Sequence, residues 1–332
     1  VRDGDLVYGD GVAIHESSGP ASTAESRRAS VDIGIRLPFA QPHAGEAVLE
    51  VARAAEEAGM HSAWFGDHIA FPVGEYESVN PTSANGKYAR SGDAPVLDAW
   101  TMLTYAAAAT TRLQVGTRIT VAGYRHPLLF GKMLATLDYL SGGRVICGFG
   151  VGWLREEFEN LGVPFGERRA RLEEMIASLR ILWEEAEPEF HGQCYDFGPV
   201  YFNPRPARRI PIYLSGHSDV AIDRAATISD GWIGNRLPPG EVGRFGARLR
   251  ARRRDSPLAA DPFTVAVTCA VECRDDPDAP WYVAEFISRK QLRDEFRRYE
   301  DAGTDVLIVD THYQRRDDLL EVIELAMSAS ST

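Results

Sequence analysis

The adjacent pair Asp67-His68 follows a short apolar run, Ser62 to Gly66, and is the first place in the chain whose residue types suit proton transfer. Histidine titrates near neutrality, and a neighbouring carboxylate can orient the ring and stabilise its charged form. His68 and Asp67 are therefore the candidate catalytic residues. The structural alternative is that Asp67 caps a loop and His68 satisfies a buried carbonyl. Similar groups follow other apolar runs: Tyr124, Arg125 and His126; then Gly150, Val151, Gly152 and Trp153. Ser215, Gly216, His217 and Ser218 come next, followed by Asn235 with Arg236 and by Asp310 with His312. Gly150-Val151-Gly152 and Gly216-His217-Ser218 each join a strand-like to a helix-like segment. Backbone amides bared there, aided by the helix dipole, suit a phosphate, although tight turns alone also call for glycine. His126 precedes Pro127 and reads as a helix start. The histidines are scattered one per run, without metal-ligand spacing, so no metal is expected.

What must position these groups is a series of strands, each followed by a helix. Val31 to Leu37, Ser62 to Gly66, Leu113 to Val121 and Val145 to Gly150 are short apolar runs. Ile212 to Ser215, Gly231 to Gly234, Phe263 to Val271 and Asp305 to Val309 continue the series. Amphipathic segments lie between them. The clearest carries Leu172, Met175, Ile176, Leu179, Leu182 and Trp183 at steps of three and four. Near-continuously apolar strands alternating with helices imply a parallel sheet covered by helices. The expected fold class is α/β, a (β/α)8 TIM barrel with extended βα loops, formed by residues 31–332 as a single domain. An open dinucleotide-binding sheet would need G-x-G-x-x-G after its first strand, and only Gly34 stands there. In a barrel the C-terminal strand ends share one rim, which is where the candidate residues fall. Residues 1–30 are rich in Gly, Ser, Ala and charge without a period, and read as a tail or arm.

Composition narrows the function. Acidic residues number 48 and basic ones 36, for a net charge of −12, which argues against nucleic acid as a partner. Lys87, Lys132 and Lys290 are the only lysines, so nearly all the positive charge is arginine, the residue suited to phosphates and carboxylates. No apolar run approaches the ~20 residues that span a bilayer, and Arg27-Arg28 precedes no hydrophobic export segment. Cys147, Cys194, Cys269 and Cys273 form no C-x-x-C pair and are expected as reduced thiols of a cytoplasmic protein.

The segments Trp64-Phe65-Gly66-Asp67-His68-Ile69, Gly116-Thr117-Arg118-Ile119 and Tyr124-Arg125-His126-Pro127 resemble the luciferase-like monooxygenase superfamily. The strongest match runs from Leu134 to Trp183, above all Leu140-Ser141-Gly142-Gly143-Arg144, Gly148 to Glu157 and Leu161-Gly162-Val163. The chain looks most like the coenzyme F420-dependent oxidoreductase branch, from about Val31 to Trp232 and diffusely beyond. The motifs are more specific for the superfamily than for the cofactor.

The resemblance implies a flavin or deazaflavin across the barrel mouth. In that family a bulge in the third strand, often with a non-prolyl cis peptide, backs the ring; here it falls near Arg118-Ile119. Asp67-His68 matches the ring-contacting pair with its proton carrier. Ser215 to Ser218 matches the phosphate-binding loop, and Gly150 to Trp153 lines the cofactor cleft. Arg118, Arg125 and Arg236 are candidates for the cofactor's anionic side chain. Sugar-phosphate dehydrogenases of the family carry glutamate where Trp153 stands, which speaks against glucose 6-phosphate oxidation here. The implied activity is hydride transfer between coenzyme F420 and a small organic substrate, with His68 carrying the proton and Asp67 orienting it. The alternative is an FMN-dependent monooxygenase. A homodimer is expected because relatives form dimers. The polar loop from Phe71 to Val96 suits a lid as well as a plain insertion.

Overall fold

The computed structural model of the protein describes residues 31–38, 44–73, 77–79, 96–271, 292–310 and 316–330. Expectations for the first thirty residues, for His312, for Cys273 and for most of the loop between Phe71 and Val96 lie outside the described residues.

The chain begins with β1 (Asp32–Arg36), α1 (Ala44–Glu57), β2 (Ser62–Phe65), α2 (Ala99–Ala108), β3 (Gln114–Thr117) and β4 (Thr120–Val121). It continues through α3 (Pro127–Ser141), β5 (Val145–Gly150), α4 (Arg155–Asn160) and α5 (Arg168–Glu184). A small hairpin of β6 (Phe190–His191) and β7 (Asp196–Phe197) precedes β8 (Ile212–Ser215), α6 (Asp219–Ile228), β9 (Gly231–Asn235) and α7 (Pro239–Arg254). The series closes with β10 (Thr264–Ala270), α8 (Leu292–Asp301), β11 (Val306–Asp310) and α9 (Arg316–Ser330).

The main sheet is parallel, in the order β3-β2-β1-β11-β10-β9-β8-β5-β4, and the additional β3–β5 pairing closes it into a ring. β3 and β4 are two halves of one stave, so the nine strands make the eight staves expected of a TIM barrel. The continuous strand expected from Leu113 to Val121 is broken by a cis peptide bond between Arg118 and Ile119. That break falls at the bulge the family resemblance implied. The β6–β7 hairpin was not foreseen; its strands are two residues each, too short for a period to register.

Strand parity divides the core into two layers. Inside the barrel, Trp64, Ile146, Tyr213, Ile233, Ala266, Val306 and Ile308 form one cluster, with Ile119 against it. Trp64 fits because its neighbours on β1 and β3 are glycines: a Cβ on Gly34 would come within 2.8 Å of its Nε1, and one on Gly116 within 2.8 Å of its Cζ3. The outward residues of the same strands pack on the helices, and the α5 stripe from Leu172 to Trp183 is buried as its period predicts. His126 serves as the α3 N-cap, its ring accepting from the Leu128 N–H at 3.3 Å ahead of Pro127, and Gly142 ends that helix at φ 71°.

Among the described residues no helix is long and apolar enough to cross a membrane, and no group of three or more His, Cys, Asp or Glu gathers as a metal site. Cys147, Cys194 and Cys269 are free thiols; burial pushes Cys269 up to about 12, which leaves it inert at neutral pH.

Candidate active site

At the end of β2 the chain delivers Asp67 and His68 to the rim, as their position after the strand required. The two have different partners. His68 Nδ1 lies 2.8 Å from Oε2 of Glu157, a residue of α4 with no solvent exposure. The same carboxylate accepts the Tyr124 hydroxyl at 2.6 Å and the Ile69 and Ala70 N–H groups at 2.5 and 3.0 Å. Asp67 instead receives both terminal nitrogens of Arg125, at 2.7 and 2.9 Å, and the Val121 N–H at 3.3 Å. The orienting role expected of Asp67 therefore belongs to Glu157.

Burial alone would push the Glu157 carboxyl up, but hydrogen bonds from His68, Tyr124 and Ala70 together with the His68 charge hold it below the usual range. Tyr124 moves the other way: burial first, then the Glu157 charge, raise its phenol far above neutrality, so it stays a donor. An ionised Glu157 can only accept, so the ring proton of His68 that faces it stands on Nδ1. The ring sits among aromatics, 4.5 Å from Phe71 and 6.0 Å from an edge-on Trp153, with 14 % of the side chain exposed. Such surroundings leave the ring little contact with water.

A second charged group lies across the rim. Asp310, fully buried at the end of β11, accepts from Arg36 at 2.9 Å and Arg236 at 3.0 Å, with Arg118 at 3.5 Å. Although burial opposes it, the charges of Arg36, Arg236 and Arg118 hold this carboxyl well below the usual range. Arg118 also donates to Thr268 Oγ1 at 2.6 Å and Asn235 Oδ1 at 3.1 Å, so its side chain crosses the mouth toward β9 and β10. Arg125 is held by Asp67 and, at 3.0 Å, by Asp98. None of Arg118, Arg125 and Arg236 lines the open cleft; each is held by carboxylates at the rim.

That cleft, about 320 Å³, lies between the end of β5 and the start of α6. Val151, Gly152, Trp153, Ser215, Gly216 and Ser218 line it, as expected. Gly152 holds φ 82°, and a Cβ there would strike Phe158 and Val121 at 2.7 Å, so its backbone must stay bare. Five expected cofactor residues do not line it: Asp67 and Arg118, described above, and Gly150, Ile119 and His217. Gly150 is packed beneath Ile119, whose Cδ1 would be 1.9 Å from an added Cβ. Ile119 itself joins the barrel interior. The His217 ring turns away to stack on Phe245 at 5.8 Å and accepts the Asn235 N–H at 3.2 Å, and burial lowers its pKa. Sequence reasoning missed Arg168, Arg169 and Arg224 in the lining and Glu157 behind His68. The arginines sit at helix positions where a solvated face is the ordinary explanation, so no local signal separated them. A cleft of similar size, about 330 Å³, lies on the outer wall between α8 and α9, remote from the strand ends.

Against known proteins, the profile of the luciferase-like monooxygenase family matches residues 31–330. The chain belongs to that family. The match extends past Trp232, beyond which the motif resemblance is diffuse. An uncharacterized protein of Mycobacterium tuberculosis is 34 % identical over 219 residues, covering 66 % of this chain and 75 % of that one. An F420-dependent glucose-6-phosphate dehydrogenase of Amycolatopsis mediterranei is 32 % identical over 190 residues, 56 % of this chain and 52 % of its own. An FMNH(2)-dependent dimethylsulfone monooxygenase of Pseudomonas fluorescens is 34 % identical over 166 residues, 48 % and 45 % of the two chains. In structure, an F420-dependent secondary alcohol dehydrogenase in complex with an F420-acetone adduct superposes with a TM-score of 0.71 at 19 % identity, covering 90 % of this chain and 99 % of that one. Members with either cofactor are thus comparably similar, and what they share with this chain is a luciferase-like oxidoreductase scaffold.

Proposed function

We propose that this protein is a coenzyme F420-dependent oxidoreductase acting on a small organic substrate, with His68 as the proton donor or acceptor. The observation that carries the reading is the buried Tyr124–Glu157–His68 chain, which presents an imidazole of fixed tautomer at the mouth beside the cleft. The lining suits the anionic end of a deazaflavin: bare backbone at Gly152 and Gly216, hydroxyls at Ser215 and Ser218, arginines and, among the described residues, no carboxylate. When bound, F420 supplies a carbon that gives or takes a hydride.

For every hydride taken from a hydroxyl-bearing carbon one proton must leave the oxygen, and Nε2 of His68 is the group offered to receive it; the reverse reaction returns it. Glu157 holds the ring through its Nδ1 proton. Asp67, locked to Arg125 and to the backbone after the cis bond, fixes the rim against which a ring system would lie. Phe71 and Trp153 keep water from the imidazole. A small-molecule substrate, a second copy of the chain and a cytoplasmic location complete the proposal.

The rival reading is an FMN-dependent monooxygenase, favoured by the similarity to the dimethylsulfone enzyme. Titration of the purified protein with F420 and with FMN, followed by tryptophan fluorescence, tests the choice; Trp153 in the cleft wall is the expected reporter. Tight F420 binding and turnover without oxygen consumption are expected. Binding of FMN alone, with oxygen consumed, would overturn the proposal.

A further inference from the structure

On the side of the mouth away from the cleft, the ends of four staves meet at one carboxylate. Asp310, at the end of β11, has no solvent exposure and serves three guanidiniums. Arg36 at the end of β1 lies 2.9 Å from it, Arg236 just past β9 at 3.0 Å and Arg118 just past β3 at 3.5 Å. Their side chains keep 10 %, 14 % and 11 % exposure, so the guanidiniums, not the carboxylate, meet solvent at the rim. Arg236 is the least settled of the three. Asp310 is its one ion-pair partner among the described residues, and that charge is shared. Nε of Arg236 and Oδ1 of Asp310 are both buried without a hydrogen bond among the described residues. The backbone of Arg236 is left-handed, at φ 50°, a region that a non-glycine residue occupies only under constraint. A buried ion pair kept for stability alone needs its remaining donors and acceptors satisfied, and it gains nothing from a strained backbone. A guanidinium that holds only a share of one carboxylate is complementary to a second anion.

The ring of strands says what that anion belongs to. β2 lies between β3 and β1, so His68 leaves the stave flanked by those of Arg118 and Arg36. The cleft, between the ends of β5 and β8, is on the opposite side of the barrel. A small molecule held by the arginines therefore presents its body to the imidazole, and binding at its far end positions the reacting carbon. We propose that Arg236, assisted by Arg118 and Arg36, binds a carboxylate at the non-reacting end of the substrate. The substrate is then a small oxo acid or hydroxy acid, not a neutral alcohol or carbonyl compound. The planar guanidinium fork matches a planar carboxylate. The proposal deepens the F420 reading and rests on it for the hydride; the carboxylate itself is an anchor and is unchanged by the reaction.

The test titrates the whole protein with pyruvate, acetoacetate and levulinate, each beside its methyl ester, followed by ligand-observed NMR. Acid and ester differ in charge at one end and share the reacting carbonyl. At least one acid should bind about tenfold more tightly than its ester, as charge-assisted hydrogen bonds to arginine imply, and salt should narrow the gap. Arg236→Gln should abolish that preference and leave F420 affinity, read by fluorescence in the same samples, unchanged. Arg236→Gly accommodates φ 50° and gives the same readout should the glutamine variant fold poorly. Esters bound as tightly as acids by the wild type would overturn the proposal. So would an acid preference that survives in both variants, or a loss of F420 binding alongside the acids. Each of these leaves the cofactor reading standing. An acid preference in a wild type that fails to bind F420 would instead overturn the cofactor reading and keep the carboxylate site.

Discussion

Removing the imidazole at position 68 leaves the scaffold intact but takes away its proton carrier. His68→Ala should lower turnover by ~10²–10⁴, and an unchanged rate would exclude His68 from the mechanism. Glu157→Gln is the sharper variant. The amide keeps an acceptor for the Ile69 and Ala70 N–H groups, yet it can also donate to Nδ1 of His68, so the tautomer is no longer dictated. The expected outcome is a fall in kcat of up to ~10²-fold with little change in KM. The 15N NMR signals of the ring should show the Nδ1-protonated form in the wild type and a mixture of tautomers in the variant. A merely structural glutamate would leave the tautomer untouched.

The elements matter here mostly for what their ends hold. Two consecutive glutamates in the first turn of α4 fasten the long connection after β2: Glu157 its start, and Glu156 the N–H groups of Glu77 and Ser78 at 2.8 and 3.1 Å. That attachment brings Val79 to the cleft wall. On the opposite end of the barrel Glu56, in the last turn of α1, fastens the entry to β3. Its carboxylate accepts the N–H groups of Thr111, Arg112 and Leu113 and the Thr111 hydroxyl. Burial opposes ionisation, but those bonds prevail and lower its pKa from 4.5 to about 2. A depressed carboxyl contributes stability above its unfolded pKa and loses it as pH falls through the folded one. Glu56→Ala should therefore cost about 1 kcal/mol at neutral pH, allowing for solvent at a partly exposed site. The difference from the wild type should fade between pH 4.5 and about 2, and denaturant titrations across that range measure it.

For the whole molecule, the open question is what covers the outer faces of α2 and α3. Tyr105, Leu129 and Leu140 there are 48 %, 61 % and 69 % exposed, and the neighbouring outward residues Thr101, Thr104 and Ala108 carry no charge. Paired with the expected homodimer, this face is where a second copy should seat, since apolar area of this kind gains most when removed from water. Leu129→Glu/Leu140→Glu should halve the mass found by light scattering without lowering helix content; an unchanged mass would place the contact elsewhere.

The sequence by itself determined the barrel, its staves and the rim on which chemistry sits, because the staves and the longer helices between them carry local apolar periods. It also marked His68, Gly152, Trp153 and Ser218, which lie at strand or helix ends, and the break at Arg118-Ile119 through family likeness. Only the tertiary structure decided who holds whom. Glu157 reaches His68 across 89 positions of chain, Asp310 gathers arginines from three staves, and His217 turns from the cleft onto Phe245. Long charged side chains find partners by where their tips arrive in space, and a one-dimensional pattern records only where their backbones start.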